Sequence, residues 1–174
     1  MVRVRLPATV ATERLTLDLI LPDEAARMVA ATPDGRDPRW HPDYPRQDDR
    51  DAASMVKGSD AGAGWGPRHV TRTFDGLVFG SIGFFGPPAP ADDGVDEAEI
   101  GYGLVADARG RGVATEAVRA LLAQADALGV RVRASVLPDN AASIRVLAKC
   151  GFTELRGANE DGELVMARPL RSPG

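Results

Sequence analysis

The run Asp107-Ala108-Arg109-Gly110-Arg111-Gly112-Val113-Ala114-Thr115-Glu116 constrains this chain most, because it joins a strand-like segment to a helix-like one through a basic, glycine-rich turn. Gly110 and Gly112 carry no Cβ, so the backbone can take positive φ there and turn successive N–H groups toward an anion. The unpaired amides and positive dipole end of the next helix aim at the same point. Arg109 and Arg111 add guanidinium groups, which bind phosphate through a bidentate fork.

The flanking segments support that reading. Glu97-Ala98-Glu99-Ile100-Gly101-Tyr102-Gly103-Leu104-Val105 alternates polar and apolar in part and predicts a strand. Ala114, Ala117, Val118, Leu121, Leu122, Ala125 and Leu128 then recur on one helical face, opposite Glu116, Arg119 and Asp126, and Gly129 stops the helix. A second strand follows over 130–137. Pro138-Asp139-Asn140 breaks it, and Asn140 is placed to cap another helix that carries Ile144, Leu147 and Ala148 and ends at Gly151.

Earlier in the chain, 14–20 reads as a strand and 22–31 as a helix with Pro22 in its first turn. The segment 32–45 is too rich in proline for regular structure, and 47–58 predicts a short helix. Strands at 70–74 and 77–85 are joined by Asp75-Gly76, a hairpin signal, and 87–96 is an acidic loop.

A chain of 174 residues holds one substantial core, so one domain over 1–174 is expected. No apolar run is long enough to span a membrane and no signal-peptide pattern opens the sequence, which predicts a soluble, cytoplasmic protein without a membrane partner. The net charge of −4 carries no nucleic-acid footprint. The lone Cys150 excludes an internal disulfide framework and reads as a small core residue at a helix end. A phosphate-binding kinase is disfavoured because the turn lacks the Lys-Ser/Thr pair of a P-loop. A dinucleotide-binding oxidoreductase would use Gly110 and Gly112 with Asp139 near the ribose, but Thr115 stands where the third glycine belongs.

The segment Glu99 to Phe152 resembles the acyl-CoA-binding half of the GNAT superfamily of N-acetyltransferases. Arg109, Gly112 and Ala114 match its Arg/Gln-x-x-Gly-x-Gly/Ala turn, and Asn140, Ser143, Lys149, Gly151 and Phe152 match its last helix. The runs Glu99-Ile100-Gly101-Tyr102 and Thr115-Glu116-Ala117, with Glu13 to Leu17 near the start, are most similar to the branch containing the ribosomal-protein alanine acetyltransferases.

The resemblance implies an α/β (α+β) fold: a mixed, mostly antiparallel sheet with a central splayed parallel strand pair flanked by helices, its acyl-CoA-binding half at about 97–152. It implies an enzyme that moves an acetyl or other short acyl group from acetyl-CoA, or another short-chain acyl-CoA, to a primary amine by direct attack, with no metal. Where the two strands part, Leu104 and Val105 would offer unpaired backbone groups to pantetheine and a backbone N–H to the oxyanion. The pyrophosphate would lie on Arg109, Gly110, Arg111, Gly112, Val113, Ala114 and Thr115, and Asn140 and Ser143 would reach the pantetheine from the opposite wall.

Amide formation needs a base, because an alkylamine is mostly protonated at neutral pH. Glu99 is the candidate: by strand alternation it shares a face with Gly101 and Gly103, whose missing side chains leave room for substrate. Glu97 shares that face and is the alternative. Many members place a tyrosine general acid in the last helix, where this chain has Leu147, so Ser143 is the candidate proton donor to the leaving thiolate. A non-catalytic acyl-CoA-binding or sensing protein is therefore the competing reading. Trp40, His41, Tyr44, Trp65 and His69 are candidates to line the acceptor side, and the acidic run 92–97 to attract a cationic amine. The gap at Gly103 would admit acyl groups larger than acetyl. The acceptor class stays open among protein N-termini, polyamines, amino acids and aminoglycoside-like amines, and the protein is expected as a monomer or homodimer.

Overall fold

In the computed structural model, which describes residues 4–56 and 61–171, the glycine-rich turn lies beside the point where a nine-stranded sheet opens. The chain runs through β1 (Thr9–Ala11), β2 (Leu15–Leu19), α1 (Pro22–Ala30), α2 (Gln47–Ser54), β3 (Pro67–Arg72), β4 (Val78–Phe84), β5 (Ala89–Pro90) and β6 (Asp96–Leu104). It continues through α3 (Val113–Ala127), β7 (Arg131–Val136), α4 (Ala141–Lys149), β8 (Glu154–Ala158) and β9 (Leu164–Arg168). The strands lie in the order β1-β2-β3-β4-β6-β7-β9-β8, with β5 on the edge of β6, and every pairing is antiparallel except β6 with β7. This is the mixed, mostly antiparallel sheet with one parallel pair and flanking helices that the resemblance implies.

Local chemistry accounts for the elements. Pro22 fixes the first turn of α1, Asp23 and Glu24 sit at the positive end of its dipole, and Ala31 closes it in a left-handed conformation. Asp75 and Gly76 turn the chain between β3 and β4: the Gly76 N–H donates to the Arg72 carbonyl and Asp75 accepts from the Arg72 guanidinium. The apolar stripe of α3 buries Ala117, Val118, Leu121, Leu122 and Ala125, while Leu128 stays 39% exposed just past the helix end. Burying each leucine of that stripe contributes about 1.5–3 kcal/mol. Arg168 of β9 clasps Asp126 of α3 through two hydrogen bonds, 2.6 and 2.8 Å, and so fastens the last strands to the helix layer.

Several boundaries differ from expectation. The helix expected at 47–58 ends at Ser54 among the described residues; 57–60 lie outside them. The strand expected at 70–74 begins at Pro67 and ends at Arg72, because the register is set by β2 and β4 on its two sides. A short strand, β5, occupies part of the loop expected at 87–96, and β8 and β9 complete the sheet beyond the last helix.

The parallel pairing of β6 with β7 covers only Glu97↔Arg131, Ala98↔Val132 and Glu99↔Arg133. From Ile100 to Leu104, β6 pairs on its other edge with β4. The two parallel strands therefore part just after Glu99. Their closed end is pinned by Glu97, 5% exposed, which accepts hydrogen bonds from Arg131, Arg133 and Arg156.

Candidate active site

The turn after β6 has the conformation its glycines allow. Gly110 and Gly112 adopt φ of 77° and 76°, and Gly112 leads directly into Val113, the first residue of α3. No side chain caps the helix, so its first amides face the turn. Arg109, Gly110, Arg111 and Gly112 are exposed, Val113 is buried, and Ala114 and Thr115 are half-buried. Val113 thus offers a backbone amide rather than a side chain. The turn is braced by Arg14, a residue to which the motifs assign no role. Its guanidinium donates twice to the Arg111 carbonyl at 3.2 Å and once to Glu116 at 2.7 Å.

The parting of β6 and β7 opens into a cleft of about 600 Å³. Its walls include Arg46, Asp48, Asp49 and Asp51 from the α2 region, Ser81 from β4 and Glu99 from β6; Ser135, Tyr102, Asn140 and Ser143 line it as well. Which backbone groups face the opening follows from one bond: the Phe85 N–H donates to the Glu99 carbonyl, so odd-numbered residues of β6 point their amides toward β4 and even-numbered ones toward β7. Tyr102 and Leu104 therefore direct their backbone groups into the opening. Leu104 meets the expectation in part, since its carbonyl also accepts from Arg109 Nε at 3.2 Å. Val105 does not meet it. Its N–H donates to the Phe79 carbonyl, because as an odd-numbered residue it extends the pairing with β4; its carbonyl accepts from Ala108, and it is 1% exposed.

On the face of β6 toward α4, the Asn140 side chain accepts from the Ser143 N–H at 3.1 Å and caps the helix. The Ser143 hydroxyl donates to the Tyr102 hydroxyl, which in turn donates to the Ser143 carbonyl, both at 3.3 Å. Burial pushes the Tyr102 phenol above its ordinary value, so it stays protonated across neutral pH. The last helix carries no tyrosine, but Tyr102 of β6 brings a phenol against Ser143. The signal was present in the alternation, which puts Tyr102 on the face opposite Glu99.

On the other face, Glu99 is half-buried and accepts from Arg133 Nε at 3.1 Å and from the Ser135 hydroxyl at 3.3 Å. Glu97 is differently placed. Burial alone would raise its carboxyl, but hydrogen bonds from Arg156, Arg131 and Arg133 overcome that and hold it down at about 2. A carboxylate so tightly held in its charged form is a poor proton acceptor, which leaves Glu99 as the base candidate. Asp93 is likewise paired, with Arg131 at 2.7 and 3.1 Å, so much of the charge in the acidic run 92–97 is consumed within the protein.

The expected acceptor-side residues are elsewhere. Trp40, Tyr44 and His69 form a buried aromatic cluster in which the Tyr44 hydroxyl and His69 Nδ1 are 2.7 Å apart. Trp65 packs on Phe84 and donates to the Val4 carbonyl, and His41 pairs with Asp107. None of the five lines the cleft. The space at Gly103 is not free either: the Arg46 guanidinium lies against it, where a Cβ would collide. Cys150 is 5% exposed, with its thiol pushed up by burial, in keeping with a core role. Among the described residues, His41, Asp43 and Asp107 come close enough to hold a cation, but both ring nitrogens of His41 already have partners in Asp43 N–H and Asp107.

Residues 14–153 match the acetyltransferase (GNAT) domain family, and the chain belongs to that family. Members are acetyltransferases that draw on acetyl-CoA. An acetyltransferase from Agrobacterium tumefaciens is 25% identical, with a TM-score of 0.65 over 93% of this chain and 94% of that one. The ribosomal-protein-S5-alanine acetyltransferase from Vibrio fischeri is 14% identical, with a TM-score of 0.65 over 95% and 100%. The microcin C7 self immunity acetyltransferase, solved in complex with acetyl-CoA and AMP, is 17% identical, with a TM-score of 0.63 over 95% and 98%. No curated protein matches the chain.

Proposed function

We propose that the whole chain acts as one cytoplasmic domain, an N-acyltransferase that moves the acetyl group of acetyl-CoA to a primary amine by direct attack on the thioester. One observation carries this reading: the sheet opens immediately after Glu99, and the same strand leads into an unplugged turn with two positive-φ glycines at a helix N-terminus. The residues fit an acyl-CoA. The amides of Gly110 to Thr115 and the guanidinium groups of Arg109 and Arg111 suit the diphosphate. The backbone groups of Tyr102 and Leu104 suit the pantetheine amides, with Asn140 and Ser143 on the far wall.

Glu99, directly or through a water, takes the proton that an alkylammonium must lose before its nitrogen attacks. The Leu104 N–H, directed into the opening, is placed for the oxyanion. The Ser143 hydroxyl, which donates to Tyr102 at rest, turns to the departing thiolate and gives it a proton, recovering one from solvent. An alkyl thiol with a pKa near 8.5 leaves readily enough that this donor is helpful rather than indispensable. The hydroxyl pair also answers the main argument for a non-catalytic acyl-CoA-binding protein, which rested on the missing helix tyrosine.

Glu99→Gln tests the assignment. Turnover should fall roughly 10²- to 10⁴-fold with acetyl-CoA affinity retained. Undiminished turnover and an unaltered pH–rate profile would remove Glu99 from the chemistry.

A further inference from the structure

We propose that Arg46 determines which amines are accepted. It donates a hydrogen bond to a carbonyl oxygen adjacent to the attacking nitrogen, so that the preferred acceptor is an α-amino amide, the group presented by a peptide N-terminus. This rests on the acyl-transfer reading above.

Arg46 immediately precedes α2, yet its guanidinium lies on β6, over Gly103. It occupies the same face as Glu99, four residues away along the strand or about 13 Å at an ordinary strand rise. Between them the Phe85 ring covers Gly101, and the Gly66–Pro67 backbone fills the place where a Cβ on its cross-strand partner Gly83 would stand. The acceptor side of the cleft therefore runs past the Phe85 ring, with a base at one end and a guanidinium at the other.

The guanidinium is held in a fixed orientation. Its Nε and Nη2 donate to Asp49 at 3.0 and 2.9 Å, and the Arg46 backbone N–H donates to the same carboxylate at 2.8 Å. The Ser81 hydroxyl, across the strand pair from Gly103, completes the shell of Asp49, which is wholly buried. Among the described residues, Nη1 has no hydrogen-bond partner, and the side chain remains 22% exposed where it lines the cleft. It offers directed donors at a place fixed by three elements.

Charge selects among possible occupants. Asp49 already balances Arg46, so the outward donors suit a neutral oxygen better than a second carboxylate. Asp48 and Asp51 on the rim add negative charge, which attracts an ammonium group and opposes a free amino acid's carboxylate. A simple alkylamine leaves Nη1 unpaired. An α-amino amide is shorter than this span, so it pairs its carbonyl oxygen with Nη1 and meets Glu99 through a bridging water.

The experiment compares an amino acid amide, the corresponding free amino acid and an alkylamine without a carbonyl, using wild type and Arg46→Lys with acetyl-CoA. Lysine keeps the charge beside Asp49 but cannot supply both the two-point pairing and an outward donor. Wild type should favour the amide over both other amines in kcat/KM. In Arg46→Lys the preference for amide over alkylamine should shrink roughly ten- to hundredfold, mainly through KM. Should that variant not fold, Gly103→Ala displaces the guanidinium while leaving both charges in place and should give the same collapse of preference. A uniform loss on all three amines would assign Arg46 a structural role and overturn the proposal. So would a wild-type preference for the free acid or the alkylamine. If wild type binds acetyl-CoA but acetylates no amine, the acyl-transfer reading fails first and the proposal falls with it.

Discussion

Gly112→Asp separates binding of the diphosphate from integrity of the fold. An added Cβ at Gly112 has nothing nearer than Arg14 Nη2 at 3.7 Å, an ordinary contact, so the substitution is opposed by backbone conformation and not by crowding. Holding a residue with a side chain at φ 76° costs about 1–2 kcal/mol. For a chain of this size that lowers Tm by about 2–8 °C. Aspartate also suits a helix N-cap, which offsets part of the loss. The functional effect is larger. A carboxylate about 4 Å from a phosphate charge, at an effective dielectric of 20, is repelled by about 4 kcal/mol, or roughly a thousandfold in Kd. Arg14 does not cancel it, since that guanidinium is already committed to Glu116 and the Arg111 carbonyl. Calorimetric titration with CoA and with S-acetylpantetheine, which lacks the diphosphate, reads the difference. CoA affinity should collapse, acetylpantetheine affinity should persist, and the far-ultraviolet circular dichroism should be retained. Unchanged CoA affinity, or an equal loss for both ligands, would refute the anion-turn argument.

Glu97 sets an acid limit on stability. Its carboxyl is depressed from 4.5 to about 2, so its stabilising effect is complete above the ordinary carboxylate value and disappears as pH falls from about 4.5 toward 2. Denaturant titrations from pH 7 to pH 3 should show a loss of up to about 2 kcal/mol that Glu97→Gln does not show, having lost the carboxylate already at pH 7; identical pH dependence in the two proteins would exclude Glu97 as the origin. Ser143→Ala should lower kcat roughly ten- to hundredfold, the value of a hydrogen bond to a charged group, with the effect shrinking when a more acidic thiol is the leaving group. A loss independent of the leaving group would assign Ser143 to binding alone.

The unit from β6 to α4 was legible because its signals are local. A glycine pair starts α3, an apolar stripe with five of its seven residues buried marks its inner face, Gly129 stops it and Asn140 caps the next helix. The same locality made the glycine-rich turn proposed for the diphosphate, and the proposed base Glu99, visible. The last two strands were not, for physical reasons: β8 is exposed along its whole length at the sheet edge and contains Gly157 at φ 93°, so no alternation marks it. In β9 only Ala167 and Arg168 are buried, and its burial owes as much to the Asp126 ion pair as to apolar periodicity. The acceptor side is tertiary throughout. That Arg46 would fill the space over Gly103, or that Ser81 and Asp49 would meet beneath it, depends on how α2 lies across β4 and β6. Aromatic residues near the irregular segment 32–45 suggested a binding wall, whereas Trp40 and Tyr44 are core.

The most direct test of the account is free-thiol release from acetyl-CoA by wild-type protein when an α-amino amide is added, with the acetylated amine identified by mass spectrometry. Thiol release that requires the amine, with one acetylated amide formed per thiol, is the predicted result. Amine-independent hydrolysis, or binding of acetyl-CoA with no transfer to any amine, would contradict it.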